Sequence, residues 1–192
     1  MGTIHIGGNT SRLYTRMESI FYAIENCLDN MGLIPALILI YASIDFLGSL
    51  RNPGSGRANG SCFKSWVKDY LLKAKPLPCN EDELWEARCG IVHTQSFISK
   101  NQVTRGTREI VYAIGFWDEY LKRKNDPTKY VGIHVEDLYL GLKDGFKDFF
   151  DYIYCPSIDP VIDCNLKMLP DYTDLIPLKY FNKQSNDSQE LK

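Results

Sequence analysis

The sequence predicts a mainly α fold, a helical bundle of about five helices carrying a small two-stranded β element. Three observations lead there. Apolar residues recur three and four apart through Leu13 to Met31, Phe63 to Leu71, Leu84 to Val92 and Leu138 to Ile153. The stretch Leu33 to Leu50, LIPALILIYASIDFLGSL, is apolar nearly all round and carries a single charge, Asp45. Only Glu109 to Phe116 and Lys129 to Val135 are short, β-branched or aromatic, and bounded by turn residues.

Residues 1–12, rich in Gly and polar side chains, read as a flexible leader. In the first helix Leu13, Met17, Ile20, Phe21, Ile24, Leu28 and Met31 form one face, Gly32 ends it, and Pro35 falls in the first turn of the next. That second helix belongs at the centre of the bundle, because an element apolar on every side needs neighbours on several. RNPGSGRANGS, from Arg51 to Ser61, is a loop. Phe63, Trp66, Val67, Tyr70 and Leu71 give a short third helix with Lys64, Lys68 and Lys73 outside, broken at Pro76 and Pro78. Asn80 is placed to cap a fourth helix whose first turn, Glu81, Asp82 and Glu83, complements the helix dipole. The two β segments are expected as an antiparallel pair at the bundle edge. From Glu136 the last helix presents Leu138, Leu142, Phe146, Phe149 and Ile153 inward, and Gly141 and Gly145, one turn apart, permit a close backbone approach. The bundle domain is therefore expected over residues 13–154. Residues 155–192, with prolines at 156, 160, 170 and 177, read as an extended tail without regular structure. No internal repeat is visible.

With 192 residues the chain is long enough for one domain with a full core. Its 22 basic and 24 acidic residues leave a formal net charge of -2, so any nucleic-acid contact needs a local patch. The N-terminus has no secretory pattern, and the six cysteines form no CxxC pair, which predicts reduced thiols and a cytoplasmic location. The uncharged run from Asn30 ends at Ile44, too short for an ordinary membrane span, so a buried helix is expected. No GxxxxGK[ST], GxSxG or HExxH motif occurs.

The functional clue is EDELWEARCGIVHTQ, from Glu81 to Gln95. Leu84, Trp85, Ile91 and Val92 share a helical face with Arg88 in its middle, so the Arg is aimed at the core or at a partner. A guanidinium there must be paired or functional, because an unpaired buried charge is strongly destabilising. His93 follows five positions later, near the helix end.

This order of elements, and above all ELWEARCGIVHT, resembles the HEPN superfamily, helical-bundle proteins whose nuclease members carry an Arg, four to six intervening residues and a His near a helix end. Here the match is Arg88, Cys89 to Val92, and His93, over roughly Leu13 to Gln95 and more weakly the last helix. The resemblance implies a metal-independent endoribonuclease without cofactor, of the defence or toxin–antitoxin type. It also implies RNA as substrate, a homodimer in which two motifs line one cleft, and a regulatory or antitoxin protein as partner. Cys89 departs from the polar residue that often follows the Arg in family nucleases. Such chemistry needs a base for the 2′-hydroxyl, an acid for the leaving 5′-oxygen and positive charge on the transition state. Arg88 suits phosphate binding and His93 acid or base work, with Asp45 and Cys89 as supporting residues.

In a regular helix five positions turn a side chain by about 140°, so Arg88 and His93 are not expected to converge within one undistorted helix. A loosened last turn at Gly90, or pairing of two chains, would bring them together. The alternative is a non-catalytic binding or scaffold module in which Arg88 pairs with Asp45 and His93 caps the helix carbonyls. A Cys89–His93 dyad is disfavoured because the helix C-terminus opposes a thiolate, and Cys79 offers no metal set, so no metal is expected. His5 and His134 have no patterned partner. Lys64, Lys68, Arg105 and Arg108 are the candidate RNA contacts, against the alternative of an ordinary solvated face.

Overall fold

A computed structural model describes residues 8–53, 59–94, 106–114, 126–154 and 158–169. Among these the protein is mainly helical, with six helices and one two-stranded sheet. α1 (Gly8–Asp29) buries Leu13, Met17, Phe21 and Ile24, the expected stripe. It begins before Leu13, so residues 8–12 are helical rather than part of a leader; their polar side chains sit in the first turns, where neither core contact nor a breaker decides the conformation. The turn that follows places Met31, not Gly32, in the left-handed region at φ 57°. Gly32 serves by its lack of a Cβ, which would stand 3.1 Å from the Cys27 carbonyl oxygen.

α2 (Leu33–Ser49) is central, with Ala36, Leu37, Ile40, Tyr41, Ile44 and Leu47 fully buried. It packs on α1 and on α3 (Gly60–Trp66), which continues through a π-helical stretch (Val67–Leu71) and a last turn (Leu72–Ala74). Asn59 caps α3 by accepting from Cys62 N at 2.8 Å. α4 (Glu81–Thr94) starts as expected at Asn80, whose Oδ1 accepts from Asp82 N and Glu83 N while Glu83 Oε2 accepts from Asn80 N. α5 (Val135–Ile153) buries Leu138, Leu142, Phe146, Phe149 and Ile153, and Lys143, Lys147, Asp148 and Asp151 lie outside.

The strands β1 (Glu109–Ala113) and β2 (Tyr130–His134) are shorter than expected and parallel, in register Glu109↔Tyr130 to Ala113↔His134. The antiparallel expectation is corrected. Residues 114–129 separate the strands, a connection long enough for a crossover, and tertiary packing selects it: β1 lies on α4, whereas β2 runs directly into α5. The Tyr41 and Tyr112 hydroxyls hydrogen-bond to each other in the core and tie α2 to β1.

A second correction concerns the segment after Tyr154, which includes α6 (Pro160–Lys167). Asp159 caps it through Val161 N and Pro160 takes the first turn, so the Asp-Pro pair starts a helix instead of barring one. Ile162 and Leu166 are buried, and Asn165 Nδ2 donates to the Leu50 and Asn52 carbonyls at 3.0 and 3.1 Å, closing the end of α2. No helix among the described residues is long and apolar enough to cross a membrane.

Gly141 and Gly145 set how close α5 comes to α3. A Cβ on Gly145 would stand 3.0 Å from Leu71 N and from Tyr70 C, which are backbone atoms that cannot swing away. Gly145→Ala is therefore expected to lower stability by about 1–3 kcal/mol, seen as an earlier urea midpoint. Gly8→Ala, where a Cβ meets nothing within 4 Å, should stay within about 0.5 kcal/mol. Equal midpoints for the two variants would rule out a tight α3–α5 approach.

Candidate functional site

α4 carries the candidate residues, and α2 meets them from the core. Arg88 Nε donates to Asp45 Oδ2 at 2.6 Å and Nη2 lies 2.5 Å from the same oxygen. The pair is nearly dry, with side chains 13% and 10% exposed. Asp45 Oδ1 is buried with no partner among the described residues. Burial pushes the Asp45 carboxyl above its usual range, against the pull of the Arg88 bond and charge and, more weakly, of His93. A single carboxylate in an apolar helix is tolerable here because a guanidinium reaches it.

The other arm of the same guanidinium, Nη1, lies 2.7 Å from His93 Nε2, and His93 is exposed. Arg88 and His93 thus meet within one chain and one helix, which corrects the expectation that they would not converge. The backbone does turn them apart, but the long Arg side chain extends across the interval. A guanidinium only donates, so in this contact Nε2 accepts and the ring proton is on Nδ1. His93 therefore has a partner other than the helix carbonyls. On one face of Arg88 lies the Trp85 indole, its centroid 5.1 Å from Cζ. In the sequence Trp85 belongs to the apolar face that carries Arg88; its place three positions before Arg88, on the neighbouring turn, is the signal that bears on the site.

Cys89 is partly buried, and burial raises its thiol pKa although Arg88 pulls the other way. No thiolate–imidazole chemistry is favoured there. Cys79 is pushed up to about 12, by burial first and then by Glu83. Cys27, Cys62, Cys79, Cys89 and Cys164 are free thiols. Among the described residues no group of three or more His, Cys, Asp or Glu could hold a metal ion.

Two of the cationic candidates, Lys64 and Arg108, are paired at the start of α4 rather than at His93. Lys64 Nζ donates to Asp82 at 2.8 Å. Arg108 clamps Glu83, with Nε on Oε1 at 2.6 Å and Nη2 on Oε2 at 3.1 Å, and Nη2 also donates to the Pro78 carbonyl. Both pairs hold the N-terminal end of α4, some ten residues and about 15 Å along the axis from His93. Lys68 is exposed on the π-helical stretch, and Arg105 lies outside the described residues. No protein-family model matches the chain, and neither a curated protein nor a solved structure matches it.

Asp45 stands on a short stem toward the C-terminal end of α2, with only 10% of its side chain exposed. Arg88→Ala is expected to destabilise by about 3–5 kcal/mol at neutral pH. The lone carboxyl then has a folded pKa above its unfolded one. Its penalty is absent below the unfolded pKa and grows as pH rises through the window up to the folded pKa. The deficit against wild type should accordingly narrow as the medium is acidified, and Asp45→Leu with Arg88→Leu should recover much of the loss. Chemical denaturation across pH checks this; a deficit independent of pH would show that Asp45 is not left buried and charged.

Proposed function

We propose that this chain is a metal-independent endoribonuclease acting in the cytoplasm, with Arg88 as phosphate ligand and His93 as acid or base. The observation that carries the reading is the Arg88 Nη1–His93 Nε2 contact at 2.7 Å, with the guanidinium anchored from behind by Asp45 and the imidazole exposed. A phosphodiester oxygen takes Nη1 in place of His93. Freed, Nε2 accepts the 2′-hydroxyl proton, the 2′-oxygen attacks phosphorus, and the 5′-oxygen departs with a proton from an acid, leaving a 2′,3′-cyclic phosphate. The acid is His93 of a second copy. Among the described side chains of α4 only Asp82 and His93 are exposed, so the two copies would meet at the His93 end. Such an activity calls for control, and a regulatory protein of the antitoxin kind covering His93 fits a defence or toxin–antitoxin role.

A second reading is favoured by the dryness of the ion pair. With Arg88 and Asp45 only 13% and 10% exposed, the pair also suits a non-catalytic binding or scaffold module in which it registers α2 against α4. Cleavage of a mixed RNA pool in EDTA separates the two. Under the nuclease reading wild type produces cyclic phosphate ends, and His93→Ala, an exposed substitution that should keep the melting temperature within a few degrees, loses activity by about 100-fold or more. Full activity in His93→Ala ends the nuclease reading, and no cleavage by either protein leaves the scaffold reading standing.

A further inference from the structure

The Arg88 guanidinium is held by two bonds that converge on one oxygen. Nε and Nη2 both reach Asp45 Oδ2, at 2.6 and 2.5 Å, while Oδ1 has no partner among the described residues. Two donors on one acceptor act as a pivot, unlike a fork whose parallel bonds reach both oxygens. His93 does not remove that freedom, since Nη1 loses it as soon as the ring takes a proton or an anion takes the donor. Besides a hydrogen bond with Cys89, the group that lies on the face of the guanidinium is the Trp85 indole, 5.1 Å from Cζ. That indole is itself seated: a Cβ on Gly60 would stand 3.0 Å from its Cε2 and Cζ2, and the Phe63 ring lies 5.4 Å away at 59°.

We propose that Trp85 is a positioning residue for Arg88. Stacking on the indole face sets the plane of the guanidinium and hence the direction in which Nη1 points, and the bare Cα of Gly60 gives the indole its seat. Trp85 touches no reacting atom and acts through Arg88. A delocalised, weakly hydrated cation stacks on an aromatic face without losing its in-plane hydrogen bonds, and Trp has the strongest face for it. The start of α3 is thereby linked to the C-terminal half of α4. Only the activity arm of the following test rests on Arg88 being a phosphate ligand.

The test reads the Arg88 side chain directly, by the Nε–H resonance in proton–nitrogen spectra of the full chain, assigned through its loss in Arg88→Lys. In wild type the Arg88 side-chain protons should show an upfield ring-current shift and slow hydrogen exchange. Trp85→Leu should abolish the shift and speed exchange about tenfold, whereas Trp85→Phe should keep both within about threefold. Gly60→Ala should reduce the shift although both Trp85 and Arg88 are intact. An Arg88 signal in wild type without a ring-current shift overturns the proposal even if no variant folds; so does a Trp85→Leu signal that matches wild type. In RNA cleavage, Trp85→Leu should lower kcat about tenfold, with most of it restored by Trp85→Phe. Spectra that respond as expected in a protein that cuts no RNA would keep the positioning role and remove the nuclease reading. A wild type that cuts RNA no faster than Trp85→Leu, with spectra that respond as expected, would keep the positioning role and remove Arg88 as the phosphate ligand.

Discussion

The ion pair between Asp45 and Arg88 is the constraint on which the arrangement of helices depends. α2 is the innermost element, and its one charge has to meet an opposite charge wherever it comes to rest. Apolar surface alone would let α2 and α4 slide or rotate with little penalty, because hydrophobic contact is not directional. A carboxylate that can be satisfied at only one place removes that freedom. Tyr41 lies one turn before Asp45 and so shares its side of α2, and its hydroxyl bonds Tyr112 on β1. Two polar links on one side of an otherwise apolar helix therefore place both α4 and the first strand, and β1 and α4 also pack on each other.

α4 is held very differently along its length. Its N-terminus is fastened by the reciprocal Asn80–Glu83 cap and by Arg108 across both Glu83 oxygens, with Lys64 on Asp82. Its middle is fastened by Asp45. Toward the C-terminus the exposed imidazole of His93 meets, among the described residues, the Arg88 guanidinium. Fastened at its start and its middle, the helix holds a guanidinium beside an exposed imidazole. That arrangement is what any anion-handling role at this site would use, since positioning without reorganisation is the larger part of electrostatic stabilisation.

Close backbone approach supplies the remaining order. Gly48 meets α3 at the Cys62 carbonyl, where a Cβ would stand 2.9 Å away, and Gly145 meets it from the other side at Leu71. α3 is thus gripped between α2 and α5, and its π-helical stretch lies where α5 presses. Gly60 extends the same device to the site by giving Trp85 its seat. Arg51 adds a surface brace, bonding Asp69 at 2.7 Å and lying over the Tyr70 ring.

Hydrophobic periodicity was enough to recover the mainly helical class, the central place of α2, the inward faces of α1 and α5 and the cap at Asn80, because each follows from the spacing of nearby residues on a known helical geometry. The lone charge on α2 and the Arg on the apolar side of α4 likewise made their pairing legible, since opposite buried charges have few other solutions. Parallel pairing of β1 and β2 was not legible, for strand direction depends on which helix each strand abuts. α6 is hidden by the prolines around it, which read as breakers, whereas Asp159 and Pro160 form a start signal and burial of Ile162 and Leu166 supplies the driving force. The meeting of Arg88 with His93, and the seat of Trp85 on Gly60, were decided by tertiary structure alone: backbone phase says where a side chain leaves the helix, but only its neighbours determine where its far end comes to rest.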